Sequence, residues 1–122
     1  MEPYERQAFD MFVSLAVERF CERIVQRNGG VERALARLRE DPDGEGVWLG
    51  RFVEAFFREN ALDNPGGACL VLRALERWEA PKTGAGRIGE VLQQMAQAAF
   101  ARLVGRKAEE VLERGLVYGG EE

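Results

Sequence analysis

Histidine is absent from this chain of 122 residues, and serine and threonine occur once each, as Ser14 and Thr83. Nucleophilic catalysis by a hydroxyl or a thiol needs a base to take the proton, and the usual base is missing. The commonest nitrogen ligand for zinc is missing with it. The two cysteines, Cys21 and Cys69, stand far apart in the sequence, so no sequence-local zinc site can form. Each sits among apolar neighbours, in "RFCERIV" and "GACLVL". The expectation is two buried free thiols in a reducing compartment.

Lysine is scarce too. Fifteen of the seventeen bases are arginine, and seventeen of the twenty-one acids are glutamate. Such a surface suits a heat-adapted protein, and a GC-rich coding sequence produces the same bias. Long hydrophobic runs are also lacking. No stretch approaches the ~20 apolar residues of a membrane span. The opening "MEPYERQAFD" lacks the layout of a secretory signal. These features set the expectation of a cytoplasmic protein.

What remains is a globular composition, 46% hydrophobic and 31% charged. The length suits one domain over residues 1–122, with about the last seven residues a tail. The net charge is −4. A domain whose main task is gripping nucleic acid is usually basic, so the balance weighs against that role without excluding a local patch.

Apolar residues recur at threes and fours along most of the chain. Phe9, Phe12, Val13, Ala16, Val17, Phe20 and Ile24 predict a helix from about Pro3 to Asn28, closed by Gly29 and Gly30. Met11 and Leu15 fall outside that stripe. A helix so apolar around its circumference is expected to touch more than one neighbour. A short helix follows over about Val31 to Arg39, and "EDPDGEG" breaks it. A third runs from about Val47 to Asn60. Asn64 and Pro65 read as N-cap and first residue of a fourth, which carries Ala68, Val71, Leu72, Leu75 and Trp78. The fifth starts near Gly86. It either continues through Gly105 or breaks there, giving a sixth helix that ends at Gly115. No segment sustains period-two alternation. The predicted fold is an all-α bundle of five or six helices with short Gly/Pro loops.

Gly84, Gly86 and Gly89 reproduce the G-x-G-x-x-G spacing of dinucleotide-binding turns. That turn works only where a strand delivers the chain onto a helix N-terminus. Here "ERWEAPK" precedes the glycines, and a second strand with an acidic tip is missing where one is required. The glycines are expected to form a helix–helix connection, and no cofactor is expected. A weaker version has the backbone of Gly86 to Gly89, with Lys82 and Arg87, holding an anion. "DPDGEG" starts like a calcium loop, but Phe52 stands where its bidentate glutamate belongs. Glu109, Glu110 and Glu113 resemble one acidic half of a magnesium site of helical nucleotide pyrophosphohydrolases. The second acidic pair has no room to follow, so a solvated helix face is expected and no metal.

Two surfaces stand out. Met11, Leu15, Leu116, Val117 and Tyr118 exceed what one small core needs, and surplus apolar residues mark interfaces. Arg19, Arg23 and Arg27 form an i, i+4, i+8 ridge, continued by Arg33 and Arg37. Lys82, Arg87, Arg102, Arg106 and Lys107 add bases near the C-terminus. The first surface predicts a non-enzymatic helical module, a small subunit that binds another protein or a second copy of itself. The second predicts instead an accessory subunit contacting nucleic-acid phosphates. In size and helical class the chain is analogous to the small helical subunits of CRISPR effector complexes, although no motif is shared.

Overall fold

The computed structural model describes residues 2–41, 46–78 and 86–119, with the side chains of residues 46, 47 and 116–119 outside the description. Five helices occupy them: α1 (Pro3–Asn28), α2 (Val31–Glu40), α3 (Gly46–Glu59), α4 (Pro65–Arg77) and α5 (Gly86–Gly119). No strand occurs among the described residues. The all-α reading is therefore correct. The bounds of α1 to α4 and the start of α5 fall within a residue or two of those the periodicity predicts.

Of the two expectations for the C-terminal third, the continuous helix holds and the break does not. No sixth helix begins after Gly105; α5 runs unbroken past Gly105 and Gly115 to Gly119. Leu116, Val117 and Tyr118 thus lie on helical backbone rather than in an irregular tail. Gly115 reads as a helix end in sequence, but its role is packing. A Cβ there would stand 2.6 Å from Cγ of Pro65, so its absence lets α5 cross the start of α4 closely.

At 34 residues α5 is about 50 Å long. It packs against each of the other four helices, and so does α1. By contrast α2, α3 and α4 make no contact with one another among the described residues. The core is where the two long helices cross. Phe100 of α5 lies edge-on to Phe20 of α1, Phe56 of α3 and Trp78 after α4, at ring separations of 5.3, 5.9 and 6.4 Å. Phe20, Phe57 and Phe100 are fully buried. Edge-to-face pairs at such distances add to the burial of the rings themselves.

Helix ends show why the chain turns where it does. Asn64 accepts from the Gly67 amide at 2.9 Å, an N-cap with Pro65 at the first helical position. At the end of α1 the Gly30 amide donates to Val25 and the Gly29 amide to Gln26, with Gly29 left-handed at φ 78°. The same closure ends α3, where Leu62 donates to Phe57 and Ala61 to Arg58. There the left-handed residue is Ala61, at φ 54°. That conformation costs an L-residue about 1–2 kcal/mol, and glycine's extra unfolded-state entropy cancels about half of the gain from replacing it. Ala61→Gly should therefore stabilise the protein by about 0.5–1 kcal/mol. Urea unfolding should show a higher midpoint at unchanged slope, and a lower midpoint would contradict this account of the turn.

Candidate functional site

Met11 and Leu15 stand four residues apart on α1 and are 68% and 56% exposed. Both belong to the wall of a groove of about 670 Å³ between α1 and the first turns of α5. The helical repeat explains the exposure. The buried stripe of α1 is Val13, Ala16, Val17, Phe20 and Ile24, and Met11 and Leu15 fall to one side of it, with Tyr4, Glu18 and Glu22 on the same line. Tyr4 is exposed as well. Val31, at the start of α2, Trp78, just after α4, and Leu92 of α5 line it as well.

The polar groups of this groove are few. Glu18 and Glu22 are the charged side chains lining it among the described residues. Cys21 lies between them and is half-buried. Burial pushes the Cys21 thiol up, and the Glu22 and Glu18 carboxylates push it further the same way. That thiol stays protonated beyond the range of an ordinary cysteine, so it is a poor nucleophile. The indole N–H of Trp78 is buried with no hydrogen-bond partner among the described residues. Cys69 departs from expectation: it is exposed rather than buried. Ala68, Val71 and Ala74 are the residues α4 turns inward, and Cys69 falls off that stripe.

The arginines do not converge on one face. Arg19 and Arg23 line a second groove, of about 640 Å³, between α1 and α3, but Glu22 and Glu59 line it with them. The Arg27 guanidinium sits 4.9 Å above the ring of Trp48, a cation–π contact. Arg33 and Arg37 are exposed on α2. Arg87 shares a smaller hollow with Arg39 and Glu32. Arg102 and Arg106 are exposed, one turn apart on α5. Lys107 is only 12% exposed, with its Nζ 3.6 Å from Glu110 and 4.0 Å from Glu54. Lys82 and Gly84 lie outside the described residues, as do Pro42 to Glu45 of the "DPDGEG" loop.

Gly86 opens α5 with φ 82°, and Gly89 lies inside its first turns. The stretch is thus a helix start with no described strand before it. Glu110 is held by Lys107 and by Arg114 at 3.9 Å. No group of three or more acidic or thiol side chains among the described residues is placed to hold a metal ion. No described helix is long and apolar enough to cross a membrane.

Sequence reasoning found Met11 and Leu15 but missed the groove they border. Val25, Val31, Trp78 and Leu92 come from four places in the chain, and only the packing brings them together. Glu18 and Glu22 were within reach of the sequence, since both continue the three-four spacing of Met11 and Leu15. Comparison with protein-family models, with curated proteins and with solved structures found no match.

Proposed function

We propose that this chain is a non-enzymatic helical interaction module, a small subunit of a cytoplasmic complex that binds another protein through the Met11–Leu15 face of α1. The observation that carries the reading is the exposure of two large, flexible apolar side chains beside an apolar groove. Isolated exposed apolar residues are ordinary, but a contiguous apolar patch marks a contact site. Methionine suits the role, because its unbranched chain moulds itself to a partner.

Phosphate contact is the weaker reading. Its best support is Arg19 and Arg23 in one groove, yet two glutamates stand there with them. Arg27 is engaged with Trp48 and Lys107 with two carboxylates.

Affinity purification from the native host tests both readings. The partner recovered with the natural chain should be lost with Met11→Asp/Leu15→Asp, because burying unpaired charge in an apolar contact is costly. It should be retained with Arg23→Gln/Arg27→Gln. Suppose instead that the arginine pair is the damaging change. If that variant also binds labelled single strands less tightly, with about one unit less log–log salt slope per lost contact, phosphate contact replaces this proposal.

A further inference from the structure

We propose that the groove between α1 and α5 seats one face of an amphipathic α-helix of a partner protein, with lysine or arginine flanking that face. The proposal rests on the reading that the Met11–Leu15 surface is a working interface, and it adds the shape and charge of the occupant.

Shape favours a helix. Along α1 the groove extends from Met11 to Gln26, about 22 Å, or roughly four helical turns. Peptide recognition by strand addition needs an exposed strand edge, and the described residues contain no strand. A helix brings its backbone hydrogen bonds already made, so it can enter apolar surroundings without stranding polar groups. Met11, Leu15, Glu18 and Glu22 step by four, three and four along α1, the seam spacing along which two helices pack.

Charge then selects the helix. The walls are apolar at Met11, Leu15, Val25, Val31, Trp78 and Leu92. The charges among the described lining residues are both acidic, and both lie on the exposed line of α1 that carries Met11 and Leu15. Cys21 stands between them on the groove wall, where burial first and then the Glu22 and Glu18 carboxylates push its thiol up. An acidic flank would be repelled there, while lysine or arginine would pair.

A second copy of the chain fits poorly. A two-fold contact sets the same patch against itself. The described residues lining the groove include no base, so a two-fold contact through them would set four carboxylates together, with Arg19 and Arg23 lining the neighbouring groove instead.

The test is a selection on the full-length chain from a display library of 16-residue peptides. One face of each peptide is fixed as Leu, Ile or Met at helical spacing. The flanking positions are free to be Lys, Arg, Glu or Gln. Selected sequences should carry Lys or Arg at the flanks. Leu15→Asp should weaken them about tenfold or more, with the circular dichroism of the chain unchanged. Glu18→Gln/Glu22→Gln should reduce the preference for basic over neutral flanks by roughly threefold to tenfold. Glu18→Lys/Glu22→Lys should turn the selection towards glutamate. Trp78 fluorescence in a Trp48→Phe background reports whether the groove itself is filled.

Binders with neutral or acidic flanks that still lose affinity with Leu15→Asp would overturn the charge assignment and leave the interface standing. No binders, or binders indifferent to Leu15→Asp, would overturn both. A dimer mass in light scattering that Leu15→Asp abolishes would give the groove to a second copy and overturn the proposal.

Discussion

Phe100→Ala should remove about 3–5 kcal/mol of stability, the usual cost of emptying a fully buried phenylalanine site. Total stability for a single domain is about 5–15 kcal/mol, so this one change takes a large share of it. The reason is position. Phe100 is fully buried, and its ring touches rings contributed by α1, by α3 and by the end of α4. No neighbour can collapse into the space without leaving another helix. Phe9, half-buried at the margin of the same aromatic group, meets Phe12 alone among the ring contacts and serves as the control. Urea unfolding of the two variants should separate them clearly. Equal losses would show that the aromatic centre is not where the helices are held together.

Gly67→Ala should be the second most damaging change, and its sign is opposite to the general rule. Alanine inside a helix normally stabilises by about 1 kcal/mol relative to glycine. At residue 67 the added Cβ would lie 2.6 Å from Cα of Leu62, 2.7 Å from its carbonyl oxygen and 2.9 Å from its carbonyl carbon. These are backbone atoms and cannot swing aside. Leu62 is itself buried and donates its amide to Phe57 to close α3. Displacing it would loosen that closure together with the Asn64 cap on the Gly67 amide. Overpacking of this kind costs about 1–3 kcal/mol, and the rigid neighbour places this case at the upper end. The adjacent Gly66 is exposed, and a Cβ there meets Asn64 Oδ1 at 3.4 Å, an ordinary contact. Gly66→Ala should therefore be neutral or stabilising. Thermal melts of the two alanine variants should move in different directions, and a stable Gly67→Ala protein would refute the close-approach account.

The sequence made the helices legible because each announces itself locally. Asn64–Pro65 starts α4 and Gly29 ends α1 through hydrogen bonds made within a few residues. Such signals need no knowledge of the rest of the chain. Gly105 left two readings open and Gly115 misled, because glycine signals a helix end wherever a left-handed residue is wanted, and neither of these has positive φ. The neighbour that explains Gly115 is Pro65, fifty positions away, which no local pattern discloses. The exposure of Cys69 follows from the stripe of α4 once Ala68, Val71 and Ala74 are its buried residues. Reading "GACLVL" as a simple apolar run hides it. The candidate surface divides in the same way. Met11 and Leu15 were visible as apolar residues off the stripe of α1. That they share a groove with Val31, Trp78 and Leu92 depends on how four segments pack. The arginine ridge was visible as spacing, but the glutamates of its groove and the ring beneath Arg27 come partly from α3.

The absence of contact among α2, α3 and α4 has a consequence for the order in which the chain acquires structure. Each of these helices is short and rests on the α1–α5 pair. During synthesis α1 emerges early, whereas α5 is made after the other four. At roughly 5–20 residues per second the 34 residues of α5 take about 2–7 s. Until they arrive, α1 has only three short helices to cover it, and the site of Phe100 is unfilled. The contacts that matter most join α1 to a helix some eighty residues away, a separation that slows folding relative to bundles built from neighbouring hairpins. The nascent chain therefore passes through a stage in which the apolar side of α1 is open to solvent.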